Sequence, residues 1–249
     1  MKAAVWYGRK DVRVENIPEP PAPGPGDVKI KVHKTGICGS DLHEYDAGPI
    51  FIPTTAPHPL TGRKAPLTLG HEFCGEIVEV GKDVKKYKVG DIVAPDAAQH
   101  CGECYMCKVD RYSLCEKLAF TGLMADGAFA EYVNVPAYTC FKLLPELSSE
   151  AGALIEPIAV GIHAIRQGKM LQGDNVAVVG AGTIGLVTIQ AARAAGANKV
   201  FSIEVAKDRK EFAKGLGAIV LDPNETDVAA EVKEQTNGEG VNVAIECIG

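Results

Sequence analysis

Long apolar runs are absent from the sequence. No stretch approaches the ~18–20 apolar residues that a helix needs to cross a bilayer. The apolar run Ala3 to Tyr7 is too short for the core of a secretory leader. Neither a membrane-spanning helix nor a cleaved leader is expected. Positive charge is in deficit: 26 Lys and Arg stand against 32 Asp and Glu, a net −6. Proteins that hold nucleic acid by neutralising phosphates are normally basic, so that class is disfavoured. Aromatic residues are few, at 6%, with one tryptophan. Internal repeats, low-complexity tracts and long charge runs are lacking. The remaining composition is 46% hydrophobic and 23% charged over 249 residues. That is ordinary globular usage, and it excludes a disordered or collagen-like chain.

Glycine and cysteine are what the chain has in excess. Glycine occupies 27 of 249 positions, about 11% against a usual ~7%. Eight cysteines are present, and four of them crowd into one window: Cys101, Cys104, Cys107 and Cys115. The others, Cys38, Cys74, Cys140 and Cys247, are scattered. A disulfide scaffold is a short secreted chain with cysteine throughout. Here a reduced, cytoplasmic protein is expected, in which clustered cysteines bind metal.

Two rhythms divide the chain. Residues 1–150 read as short strands with frequent turns, notably Val28 to Val32, Gly75 to Gly81, Val89 to Val93 and Ala128 to Val133. That pattern suggests a small barrel or sandwich. Residues 151–249 open with helical runs, Ala151 to Ile155 and Ile158 to Gln167, and then alternate strand and helix. Strands are expected at Val176–Val179, Lys199–Val205, Ala218–Leu221 and Val241–Cys247. Such alternation implies a parallel sheet covered on both faces, an α/β fold.

Gly180-Ala181-Gly182-Thr183-Ile184-Gly185 matches G-x-G-x-x-G between an expected strand and an expected helix. The first glycine permits the tight turn, the second admits a pyrophosphate, and the third lets helix and strand pack closely. The first-turn N–H groups at Thr183 and Ile184 then face the phosphates. Glu204 stands where an acidic residue is expected to bind ribose hydroxyls. Its charge would repel a 2′-phosphate, which favours NAD(H) over NADP(H). Arg209, nearby in sequence, argues the other way.

The clustered cysteines follow Cys-x2-Cys-x2-Cys-x7-Cys within a lobe at 95–118. Four thiolates on short loops suit a closed, structural Zn²⁺ site. A bacterial iron–sulfur run would be C-x2-C-x2-C-x3-C-P. Here the last gap is seven and Glu116 follows, so zinc is favoured. A second set is dispersed: Cys38 between glycines, then Ser40 and His43; His71-Glu72 after Gly70; and Glu156 before Pro157. One thiolate, one imidazole and one carboxylate can hold a catalytic zinc with a fourth position open. A bound hydroxyl is made more acidic by such an ion.

On these motifs, from Met1 to Gly249, the chain resembles the zinc-dependent medium-chain dehydrogenases. His43-Glu44-Tyr45, Gly48 to Pro53 and His58-Pro59-Leu60 make it look most like the butanediol and polyol branch. The resemblance implies a GroES-like barrel facing a Rossmann domain, with one catalytic and one structural Zn²⁺ per chain and NAD(H) as cofactor. It implies hydride transfer from a small secondary alcohol or vicinal diol. Sorbitol, L-threonine or simple alcohols are alternative substrates, and a non-catalytic NAD-binding protein is the rival class. Cys38 and His71 carry over as zinc ligands. Glu156 is expected as the third ligand, with Glu72 as an alternative. Because neighbours on a regular strand point to opposite faces, Glu72 can join His71 only if the backbone bends. Ser40 is expected to pass the hydroxyl proton through the cofactor ribose to His43. The resemblance further implies a homodimer or homotetramer when full length.

The stretch Asp46 to Pro66 is expected to be a long functional loop. In it, Ile50, Phe51 and Ile52 form either an apolar wall for a small diol or a contact with a partner subunit. A full doubly wound dinucleotide domain has six strands, whereas only four are countable here. The chain therefore reads as a fragment, expected to be poorly stable and nearly inactive alone.

Overall fold

In the computed structural model, which describes residues 1–249, two strands that periodicity did not predict open the chain. These are β1 (Lys2–Gly8) and β2 (Asp11–Asn16), an antiparallel pair turned at Lys10, whose φ is 61°. Then follow β3 (Asp27–Gly36), α1 (Gly39–Ala47), β4 (Leu67–Thr68), β5 (Glu72–Val80), β6 (Ile92–Pro95), β7 (Ala98–Gln99), α2 (Tyr105–Lys108) and β8 (Ala119–Phe120). Next come β9 (Tyr132–Pro136), β10 (Cys140–Lys142) and α3 (Ser149–Ala153). Strands β10-β6-β5-β3-β9 form one antiparallel sheet, and β2-β1-β4 another. Alternate residues of β3, β5 and β9 point inward, so Val28, Ile30, Phe73, Ile77, Val133 and Val135 form the main core. Each side chain of this kind, fully removed from water, contributes about 1.5–3 kcal/mol.

The strand pair β3–β5 places the chemistry. Its last paired residues are Gly36 and Glu72. Cys38 follows β3 and His71 precedes β5, so both lie at the same end of the ladder. Gly36 has a steric reason: a Cβ there would collide with Glu72 Oε2.

The remaining elements are α4 (Ile155–Gln167), β11 (Asn175–Val179), α5 (Thr183–Ala194), β12 (Lys199–Ile203), α6 (Lys207–Gly215), β13 (Ile219–Leu221), α7 (Val228–Gln235) and β14 (Val243–Glu246). The four strands pair in parallel in the order β13-β12-β11-β14. The order reverses beside β11, and ligands of such sheets bind at the carboxyl ends of strands near that switch. Val176, Val178, Ile189, Val200 and Ala213 fill its core.

The chain divides into two compact units, Met1–Glu156 and Pro157–Gly249. The change of rhythm near 150 precedes that division because α3 still packs on β3 and β5 of the first unit. Ser148 caps α3 by accepting the Ala151 N–H at 3.2 Å, which starts the helix at Ser149, earlier than expected. Helix α4 also starts early, at Ile155, so Pro157 stands inside its first turn. No helix is long and apolar enough to cross a membrane.

Candidate metal centres and dinucleotide site

Cys38 Sγ, a His71 ring nitrogen and a Glu72 carboxylate oxygen lie within 4.8 Å of one another. His71 escapes strand alternation because it lies outside the ladder, after Gly70 at φ 95°. The bend that Glu72 needs is therefore present. The structure brings Glu72, rather than Glu156, into this set. Glu156 is half-buried and feels the charges of His71 and Glu72.

Helix α1 surrounds the histidine. Ser40 Oγ lies 3.3 Å from Nε2, and Asp41 Oδ1 lies 3.7 Å from Nδ1. Asp41 Oδ2 accepts the Cys38 N–H at 2.9 Å. Asp41 thus reaches both Cys38 and His71, although nothing in the sequence reading singled it out. His43 lies one turn beyond Ser40 and is exposed.

The electrostatics of this cluster call for a cation. Burial pushes the Cys38 thiol up, against the hydrogen bonds from Ser40. Burial likewise raises the carboxyls of Asp41, Glu72 and Glu156, although the His71 charge pulls each of them down. Burial without a fixed positive charge favours the protonated acids. His71 Nδ1 and Asp41 Oδ1 are buried without a hydrogen-bond partner. A divalent cation would deprotonate the thiol and orient the imidazole. The donor set therefore fits a zinc ion.

The second cluster is closed. The sulfur–sulfur distances are 3.9 Å (Cys101–Cys107), 3.5 Å (Cys104–Cys107), 4.0 Å (Cys104–Cys115) and 3.5 Å (Cys101–Cys115). A tetrahedron with metal–sulfur bonds of about 2.3 Å has edges of about 3.8 Å. A disulfide needs about 2.05 Å. The spacing is that of four thiolates around one ion. N–H groups of Cys107 and Glu116 pull Cys104 down to about 6. Burial, then hydrogen bonding to Cys104, pushes Cys107 up to about 12. Four such sulfurs cannot all ionise without a cation between them. Strands β7 and β8 pair at the base of the lobe.

In the second unit Gly180 has φ 93°, a left-handed turn that favours glycine. Gly182 caps α5, and a Cβ there meets nothing within 4 Å, which leaves room for a phosphate. A Cβ on Gly185 would collide with Gly180 O. The early residues of α5, Thr183 and Ile184, border that space. Glu204 follows β12, and its carboxylate accepts N–H groups from Ala181 at 2.7 Å, Val205 at 2.8 Å and Ala206 at 2.8 Å. Burial alone would raise this carboxyl; the three N–H groups and Arg209 outweigh it and hold it below its usual value. Arg209 is exposed, with Nη1 4.0 Å from Glu204. The glycine turn and the acidic residue are thus tied by one hydrogen bond.

A metal-binding barrel joined to a dinucleotide-binding sheet defines a class, the zinc-binding oxidoreductases. Residues 24–146 match the family described as "Alcohol dehydrogenase GroES-like domain", and residues 183–249 match that described as "Zinc-binding dehydrogenase". The chain belongs to the zinc-dependent alcohol dehydrogenase family. It is 51% identical to the (R,R)-butanediol dehydrogenase of Bacillus subtilis (strain 168), covering 100% of this chain and 71% of that protein. The crystal structure of 2R,3R-butanediol dehydrogenase from Bacillus subtilis superposes with a TM-score of 0.92 at 50% identity, covering 100% of this chain and 70% of that one. The sorbitol dehydrogenase of Bacillus subtilis (strain 168) is 39% identical, over 100% of this chain and 69% of that protein. The expected fold, GroES-like barrel plus Rossmann-type sheet, and the expected enzyme class both hold.

Proposed function

We propose that the protein, when full length, oxidises small secondary alcohols or vicinal diols, of the 2,3-butanediol and acetoin type, with NAD as hydride acceptor. The observation that carries this is the half-buried Cys38 held against the buried His71 and Glu72, beside the Ser40 hydroxyl, on a chain whose glycine turn is tied to Glu204. The 51% identity to a butanediol dehydrogenase supports the diol over sorbitol, at 39%. Zinc, when bound, supplies a Lewis acid that makes a substrate hydroxyl easier to deprotonate. Cys38, His71 and Glu72 would hold it, with Glu156 as the exchangeable donor. Asp41 fixes the Cys38 backbone and faces Nδ1 of His71, which orients the ring. Ser40 accepts the hydroxyl proton and hands it on towards His43 and solvent. The quartet Cys101, Cys104, Cys107 and Cys115 would hold the structural ion.

NADH formation should be measured with (R,R)-, (S,S)- and meso-2,3-butanediol, sorbitol, threonine and ethanol, with and without a chelator. A butanediol stereoisomer should lead by kcat/KM, and the chelator should stop turnover. A lead for sorbitol or threonine would replace the diol reading. Loss of His43 should slow the proton's exit. His43→Ala should therefore lower kcat mainly below neutral pH, where hydroxide is too scarce to take the proton. An unchanged pH–rate profile removes His43 from the relay.

Glu204 gives the cofactor preference. A carboxylate held ionised by three N–H groups accepts ribose hydroxyls and repels a 2′-phosphate. Glu204→Ala should cut kcat/KM for NAD by roughly 10–100-fold and bring NADP closer to parity. A native preference for NADP would overturn this assignment. In the same reading the protein works in the cytoplasm as a homodimer or homotetramer. Sedimentation measures the assembly.

A further inference from the structure

Glu44 is a buried acid with no part in the mechanism above. It lies one turn after Asp41 on α1, and both are buried, at 0% and 3% exposure. A carboxylate removed from water must be surrounded by donors. Here the donors are three consecutive backbone N–H groups. Ile50 donates to Oε1 and Oε2 at 3.2 and 3.0 Å, Ile52 donates to Oε1 at 3.1 Å, and Phe51 also donates to Oε1. The Glu44 carbonyl accepts the Trp6 indole N–H at 3.1 Å and the Gly48 N–H at 3.1 Å. Donors in succession form a concave anion site, and this one is filled by the protein's own side chain.

The cage sorts three apolar side chains. Ile52 is buried at 3% in a cluster with Trp6, Leu67, Leu69 and Leu123. It is therefore core and no part of a wall. Ile50 and Phe51 remain 51% and 47% exposed. Ile37, next to Cys38, and Leu42 on α1 are exposed too, at 69% and 54%. One helix of nine residues thus grips the Cys38 backbone at its start through Asp41 and the loop at its end through Glu44. Such a helix is about 13 Å long.

We propose that Glu44 is a positioning residue. Its carboxylate locks the Ile50–Ile52 backbone to α1 and so fixes Ile50 and Phe51 as the apolar wall that selects small diols. This rests on the diol reading above. In the zinc-loaded protein, Glu44→Gln places an amide N–H₂ against the three donors and opens the cage. Hydrogen–deuterium exchange across residues 49–53 should rise. The ratio of kcat/KM for the preferred butanediol to that for ethanol should fall roughly tenfold, mostly through KM of the diol, with zinc content unchanged.

Phe51→Ala removes the wall and leaves the cage. It should lower the same ratio without raising exchange, and the double variant should be no worse than the poorer single one. Exchange that rises while the ratio holds overturns the proposal, as does full additivity. Glu44→Asp keeps the charge but shortens the reach. It serves the same test if the glutamine variant does not fold, and failure of both to fold overturns the proposal in favour of a folding role alone. If the unsubstituted protein oxidises no vicinal diol, the substrate reading fails. The exchange and the ratio for whichever alcohols it does oxidise then still decide Glu44.

Discussion

Replacing Cys104 with serine should reduce bound zinc from two ions to one per chain and unfold the lobe between β7 and β8. That lobe has little else to hold it. Its regular structure is two two-residue strands, the four-residue α2 and one short turn. Of its side chains, Cys107, Cys115 and Ala119 are among the few that are apolar and buried, and two of these belong to the cysteine quartet. Tyr105, Val109 and Leu114 are exposed at 69%, 44% and 54%, so they bury little apolar surface. Where burial is this sparse, metal binding supplies the folding free energy, on the order of 10–16 kcal/mol in zinc-finger peptides. Losing one of four thiolates should remove at least about 3 kcal/mol of it. At about 2–4 °C per kcal/mol for a chain of this size, Tm should fall by roughly 6–12 °C. Elemental analysis with calorimetry checks this. Two zinc ions retained, or an unchanged Tm, would show that the quartet is not a metal site.

Cys38→Ala should give the opposite signature: one zinc lost, the fold kept and turnover abolished. Cys38 sits in the turn before α1 and belongs to none of the apolar clusters. Its removal opens no core cavity. The Asp41 contact to the Cys38 N–H is made by backbone and survives the substitution. The chemistry is more exposed to the change. Without the thiolate, only His71 and Glu72 remain of the set, and the Lewis acid is lost. A metal of this kind is worth several kcal/mol at the transition state, so kcat should fall by roughly a thousandfold or more. Circular dichroism and Tm should stay near those of the unsubstituted protein. Turnover that survives with one zinc would remove Cys38 from catalysis. Together the two cysteine variants separate an ion that folds from an ion that reacts.

Most strands and the phosphate turn were legible, because alternation and glycine spacing are local signals. Helix α7, Val228–Gln235, continues the strand–helix alternation expected of residues 151–249. Helix α1 was not legible. Helix patterns are found by apolar residues at the buried face, and its two buried residues are Asp41 and Glu44. The residues it exposes include Leu42. Its polarity is inverted because the face it buries is the one that organises the site. The first hairpin was missed for another reason. The run Ala3 to Tyr7 is uninterrupted, and the turn uses Lys10 with φ 61° where glycine would have announced it. The carboxylate that joins Cys38 and His71 could not be chosen from sequence either. Alternation argues against adjacent ligands, and only the ladder's end at Glu72 shows that His71 is free of it.

The residues of both candidate metal clusters lie between Cys38 and Cys115, all within Met1–Glu156. A ribosome releases the chain from its N-terminus at roughly 5–20 residues per second. The last thiolate therefore emerges several seconds before β14 is made. The order of the chain thus makes the candidate zinc donors available before the dinucleotide-binding sheet is complete. The barrel can be metallated while the half that will hold NAD is still being translated.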